Sequence, residues 1–374
     1  VITEIDKQRE RLRQLSISVI LENQHTSGSF VASPTFSQYG YSWLRDGTYI
    51  AYSLLLKGYE REVHAHIQWV SEVIARHAHK IKQLPDLLNS GKPRENRWFL
   101  SARYTLEGQE DTSDWPNFQI DGYGSWLWLV AQYLEMTQRT LPEDWHTSVE
   151  LIIDYLGLVW KLPNSDCWEE FGGEIHPATL ACLAGGLNHI KDFVGDAYRQ
   201  SAELLGSKIT AFILEHIHEE GYFPKFIGSD MIDASLIWLS VPYGVVAPDH
   251  PAMVKTIEKI EQDITFKGGV KRYPQDTYYG GGQWLLLSAF LGWYYVRVGD
   301  AKRAQKLLDW IVSQQEDDGS LSEQILDEVN DPSMVKPWET RWGKVATPLL
   351  WSHAMFLILD NELSVYNTKG EKHE

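Results

Sequence analysis

The chain is poor in residues that mark several common functions. It has two cysteines, Cys167 and Cys182, too few for a disulfide framework or a thiolate metal cluster. Both read as small, reduced core residues. Positive charge is short as well: 34 Lys and Arg stand against 51 Asp and Glu, a net charge of −17. Nucleic acid calls for a basic stripe and an anionic membrane for basic patches, so neither partner is expected. An acidic surface is compatible with neutral substrates. No run approaches the ~20 apolar residues of a membrane span. The opening stretch "VITEIDKQRERLRQ" is charged and helix-like, unlike a signal peptide, which makes the cytoplasm the expected compartment. Strand-rich regions and low-complexity linkers are missing too, and no residue spacing argues for a metal or a cofactor.

Aromatic residues are abundant, with 16 Trp and 18 Tyr. A core packs as well with Leu and Ile, which carry no ring N–H to satisfy. The excess therefore points to a lined cleft, where flat apolar sugar faces can stack. Along the chain, segments that are apolar nearly all round alternate with charged, amphipathic ones. The apolar members begin near Asp46, Asp121, His176, Asp233, Gly282 and Pro348, spaced 75, 55, 57, 49 and 66 residues apart. The amphipathic members cover roughly 4–23, 61–82, 143–159, 196–217, 251–263 and 300–316. A helix apolar on all sides must be covered on all sides, whereas an amphipathic one faces water. Six inner helices wrapped by six outer ones satisfy both, which predicts an all-α (α/α)6 barrel formed by residues 1–374 as a single domain. Asp121 and Asp233 are expected to be N-caps.

Inner-to-outer links are short, and outer-to-inner links are long. Long links are unusual unless functional, and in an alternating ring they all emerge at one end. The distinctive motifs fall there. The first link holds "YGYSWLRDGTY", from Tyr39 to Tyr49. Its Arg45-Asp46 pair reads either as a helix-capping salt bridge or as a site for vicinal hydroxyls, with Tyr39 and Trp43 beside it. The second holds "DTSDWPNFQIDGYGS", with Trp115 as a candidate platform. The third is "DCWEEFGG", where Trp168 precedes the adjacent acids Glu169 and Glu170. If that stretch is extended, the two acids alternate in direction. The fourth, "EEGYFPKFIGSDMIDAS", is less informative. The fifth, "GGVKRYPQDTYYGGGQW", sets Arg272 amid tyrosines and glycines, and the sixth carries Glu323 in "DDGSLSEQ". Acetal hydrolysis uses one protonated carboxyl and one carboxylate on opposite sides of the bond, ~6.5–9.5 Å apart in inverting enzymes. Links three and six can supply such a pair.

"YGYSWLRD", "WPNFQIDG", "DCWEEFGG", "RYPQDTYYGGGQW" and "DGSLSEQ", in this order, resemble the glucoamylases and related α-glucosidases of glycoside hydrolase family 15. The resemblance extends over essentially the whole chain. It implies an inverting, exo-acting enzyme on an (α/α)6 barrel that releases β-glucose from non-reducing ends of small neutral oligosaccharides. By the same resemblance Glu169 is the general acid, Glu323 the general base, and Glu170 a substrate ligand near the leaving group. Tyr39, Trp43, Arg45 and Asp46 surround the terminal glucose, Trp115 stacks on substrate, Arg272 holds a hydroxyl, and Trp168 belongs to the same wall. The chain shows neither the N-terminal β-sandwich of typical bacterial members nor a starch-binding domain, which turns the expectation toward short soluble substrates. Within the family α-1,4, α-1,6 and trehalose linkages all occur. A phosphorylase would need a basic cluster in the cup links, and a cyclase an aspartate-rich motif; neither is present. A non-catalytic sugar binder would have no reason to keep both Glu169 and Glu323.

Overall fold

The computed structural model describes residues 2–371. In chain order its helices are α1 (Glu4–Glu22), α2 (Leu44–Leu56), α3 (Glu60–Arg76), α4 (Ala78–Leu88), α5 (Asp121–Thr137), α6 (Glu143–Val159) and α7 (Pro177–Ile190). They continue with α8 (Asp196–Glu215), α9 (Pro251–Ile264), α10 (Leu285–Arg297), α11 (Ala301–Ser313), α12 (Val335–Trp342) and α13 (Leu350–Glu371). The inner members form a closed ring. Helix α2 packs on α5, α5 on α7, α7 on a 3-10 helix at Ala234–Leu239, that helix on α10, α10 on α13, and α13 back on α2. Helices α1, α3, α6, α8, α9 and α11 lie outside, which makes the expected (α/α)6 barrel.

Hydropathy explains which helix goes where. Helix α10 buries every residue from Leu285 to Val296. Helix α11 buries only Ala304, Leu307, Leu308, Ile311 and Val312, the spacing of one face. Close approach inside the ring depends on glycine: a Cβ on Gly186 would lie 2.1 Å from the Gly124 carbonyl oxygen, so α7 and α5 meet backbone to backbone.

Three expectations need correction. The fourth inner member is a six-residue 3-10 helix rather than an α-helix, because Pro242 and Gly244 cut the apolar run short. Asp233 caps it as expected, accepting from the Ser235 N–H at 2.8 Å. The amphipathic stretch 61–82 is two helices, since His77 leaves helical geometry at φ −105°, ψ 14° between α3 and α4. Asp121 is not an N-cap: Ile120 holds that position, and the Asp121 carboxylate turns inward to a buried arginine instead.

Small sheets tie the long links together. Strand β1 (Ser42–Trp43) pairs antiparallel with β2 (Arg103–Tyr104), joining links one and two. Strands β3 (Thr265–Phe266), β4 (Gly269–Lys271), β5 (Gln283–Trp284) and β6 (Gln324–Ile325) form an antiparallel sheet in that order. Arg272 follows β4 and Glu323 precedes β6, with β5 between the two strands. A seam between the first and last links closes the ring: the Leu350 N–H donates to the Ala32 carbonyl at 3.0 Å, and the Ser33 hydroxyl donates to the Pro348 carbonyl at 2.7 Å. No helix of the described residues is long and apolar enough to cross a membrane.

Candidate active site

The long links enclose a cavity of about 330 Å³, at the lower end of the ~300–1,000 Å³ usual for ligand clefts. Tyr39, Trp43, Arg45, Asp46, Trp115, Trp168, Glu169, Glu170, Arg272 and Glu323 all line it. Five of the six links thus bring together every candidate site residue named in the sequence. Arg45, Asp46, Trp168, Arg272 and Glu323 are buried, while Asp114 and Arg341 are exposed. The cavity is therefore closed at its inner end and open between Asp114 and Arg341.

The stretch that carries the two adjacent acids is a turn, not an extended strand. The Glu169 N–H donates to the Asp166 carbonyl at 2.9 Å, and the Asp166 N–H to the Glu170 carbonyl at 2.9 Å. Within this turn Glu169 has φ 68° and Phe171 φ 52°, left-handed values uncommon for residues other than glycine. The turn sends the two side chains to different partners. Three N–H donors converge on Glu169 Oε2: Trp43 Nε1 at 3.1 Å, Trp115 Nε1 at 2.5 Å and Gln119 Nε2 at 2.7 Å. With Oε2 occupied, a proton on this carboxyl belongs on Oε1. Glu170 instead accepts from the Tyr273 hydroxyl at 3.0 Å and lies 3.3 Å from Arg272 Nη2. Burial raises its pKa, while Arg272 pulls the other way.

Glu323 is 2% exposed. Its Oε1 accepts from the Tyr39 hydroxyl at 2.7 Å, and the Tyr278 hydroxyl is 2.7 Å from that of Tyr39. Its Oε2 is buried with no hydrogen-bond partner in the protein, so one lone-pair site is left for a ligand or for water. Burial pushes this carboxyl up to about 7, against the Tyr39 hydrogen bond.

The inner end is ionic. Arg45 Nη1 donates to Gln119 Oε1 at 2.9 Å and to Asp121 Oδ2 at 3.2 Å, and its Nε lies 3.5 Å from Asp46. Burial works against the guanidinium, but Asp121 and Asp46 hold it charged. Burial also pushes the Asp46 carboxyl up to about 7 despite Arg45. Arg272 is gripped by Asp276 through two bonds of 2.7 Å. The Trp168 indole N–H donates to both Asp233 oxygens, at 3.1 and 3.0 Å.

Several lining or supporting residues escaped sequence reasoning. Helix α12 adds Trp338, Arg341 and Trp342 to the wall, and Trp342 stacks against Trp115 with ring planes 24° apart. Its "PWETRW" stretch has the indole density that marked the other links. Tyr278 and Gln119 were passed over inside motifs already quoted. Lys225, 3% exposed beneath the Glu169 turn, lies in the fourth link, which the sequence left uninformative.

Carboxyls in contrasting surroundings, sugar-sized space, arginines and indoles at the open end of a helical barrel define a glycoside hydrolase. The chain belongs to the glycosyl hydrolases family 15, whose family model matches residues 7–360. It is similar to an isomaltose glucohydrolase of Kribbella flavida, 36% identical over 362 residues that cover 95% of this chain and 94% of that one. A glycosidase variant solved in complex with glucose superposes with a TM-score of 0.92 at 35% identity, covering 96% of this chain and 98% of its own. Trehalase 1 of Sulfolobus acidocaldarius is 24% identical, over 82% of this chain and 58% of its own length.

Proposed function

We propose that the protein is an inverting, exo-acting α-glucosidase that removes β-glucose from the non-reducing end of short α-gluco-oligosaccharides, with the α-1,6 bond of isomaltose as its preferred target. The observation that supports this most is the pairing of Glu169 and Glu323 in one cavity closed at its inner end. A closed end admits a chain terminus and not a chain interior, which favours exo action. The terminal glucose sits against Arg45 and Asp46, which exchange hydrogen bonds with its hydroxyls, and against Trp168 and Arg272. Tyr39 and Trp43 flank it, and Trp115 and Glu170 meet the sugar on the leaving side.

Glu169 gives the proton on Oε1 to the glycosidic oxygen as the C1–O bond breaks. Glu323, ionised, takes a proton on Oε2 from a water whose oxygen bonds to C1 from the opposite face. The anomeric centre inverts, and solvent returns the proton from Glu323 to Glu169. The α-1,6 preference draws on the activity named for the Kribbella relative and on the crowding of the mouth by α12. Trehalose is the alternative substrate within the family, and the lower likeness to the trehalase places it second.

The test combines product and variant analysis. Proton NMR of the first product should show β-glucose, with isomaltose cleaved faster than maltose or trehalose. Glu169→Gln and Glu323→Gln should each lower kcat by about 10²–10⁴-fold, with KM little changed. Initial release of α-glucose, or near-parental turnover in either variant, would overturn the assignment.

A further inference from the structure

We propose that Lys225 is the positioning residue of the catalytic acid: it clamps the strained turn that aims Glu169, and it does so from a different link of the barrel. This inference rests on the reading of Glu169 as general acid. Asp166 holds the turn from inside. Its Oδ1 accepts from the Trp168 N–H at 2.9 Å and the Glu170 N–H at 3.0 Å, the two backbone donors that flank Glu169. Its other oxygen accepts from Lys225 Nζ at 3.0 Å. The same ammonium donates to Asp233 Oδ2 at 2.5 Å, and Asp233 is the acceptor for the Trp168 indole. One buried cation therefore joins the turn's backbone clamp to the anchor of its tryptophan. It also lies 4.1 Å from the centre of the Tyr273 ring, whose hydroxyl binds Glu170.

The arrangement is more than a structural ion pair. Burial alone would discharge Asp166 and Lys225, yet the Asp166 carboxyl is held below its ordinary value and the Lys225 ammonium above its own. Without the ammonium, Asp166 and Asp233 are like charges in a dry site, and one of them must take a proton. A protonated Asp166 is a weaker acceptor for the two N–H groups of the turn. Glu169 and Phe171, both at positive φ, then have less to hold them there. The indoles and Gln119 that contact Glu169 Oε2 lie on other links and cannot fix its backbone.

The leaving group separates positioning of an acid from general damage. Cleavage of isomaltose needs a proton on the departing oxygen. With α-glucosyl fluoride the C1–F bond breaks and fluoride leaves unprotonated, while water adds to C1 and loses its proton to Glu323. Glu169→Gln sets the benchmark, losing about 100-fold or more on isomaltose and far less on the fluoride. Lys225→Met should show the same signature at reduced size: kcat on isomaltose down by about 10–100-fold with KM nearly unchanged, and kcat on the fluoride nearly intact. Lys225→Arg should recover part of the isomaltose rate. Should Lys225→Met fail to fold, Asp166→Asn, which gives the turn the neutral, weaker acceptor directly, carries the same expectation. Equal losses on both substrates, or none, overturn the proposal while a selective Glu169→Gln leaves the acid assignment standing. If Glu169→Gln is itself unselective, the acid assignment falls, and this inference falls with it.

Discussion

Replacing Tyr39 with phenylalanine takes from Glu323, the proposed base, the foremost of the groups that favour its ionised form. A phenol carries one hydrogen. With it committed to Glu323 Oε1 at 2.7 Å, the Tyr278 hydroxyl must donate in turn to Tyr39. Burial has already pushed Glu323 up to about 7, with the Tyr39 bond the first force opposing it. A hydrogen bond to a charged group contributes about 1.5–3 kcal/mol, and about 1.4 kcal/mol corresponds to one pH unit. Loss of the bond therefore raises the Glu323 pKa by about one to two units. In its proposed role Glu323 works ionised, so activity should disappear as pH falls through that pKa, and a higher pKa moves the loss to higher pH. The assay is kcat/KM on isomaltose across pH. On the acid side Tyr39→Phe should be about 10–100-fold slower than the parent, and the gap should narrow once pH exceeds both midpoints. A uniform drop at every pH, with the acid limb in place, would refute the reasoning.

Two further outcomes follow from burial. The folded-state pKa of Glu323 lies above its unfolded value, so its contribution to stability is full below the ordinary glutamate range and is lost as pH rises through about 7. Glu323→Gln should accordingly melt at a higher temperature than the parent near about pH 8 and at nearly the same temperature near about pH 4; a pH-independent difference would contradict this. Gly186→Ala would set a Cβ 2.1 Å from the Gly124 carbonyl oxygen, and forcing α5 and α7 apart costs about 1–3 kcal/mol. Calorimetry should show a lower Tm, and an unchanged Tm would mean that the two helices can separate freely.

The barrel was legible because its two kinds of helix bury different fractions of their surface. Leu285 to Val296 is apolar all round, while Leu307, Leu308, Ile311 and Val312 mark a single face, and that contrast survives in one dimension. The fourth inner member misled because "DASLIWLSVPYG" is as apolar as its neighbours; Pro242 acts on backbone geometry and leaves the hydropathy alone. Asp121 misled for a related reason. Its place before a helix suits a cap, and nothing local reveals that Arg45, from a different link, lies 3.2 Å away. The motif residues were found through their likeness to a family. Lys225 and the α12 wall were missed because their meaning is relational. A lysine becomes informative only once two aspartates from separate links are seen around it.

The seam between Ala32 and Leu350 also bears on when this enzyme can begin to work. Glu169, the proposed proton donor, belongs to the middle of the chain. Glu323, the proposed acceptor of the water's proton, and the Ala346 carbonyl that takes its N–H at 2.9 Å belong to its final part. During synthesis, a nascent polypeptide exposing its first four helical pairs would hold the donor, the indoles and the arginine at the pocket's end, yet would have nothing with which to activate water. On the proposed roles, hydrolysis is withheld until α13 docks against α2, so ring closure doubles as the moment of switching on.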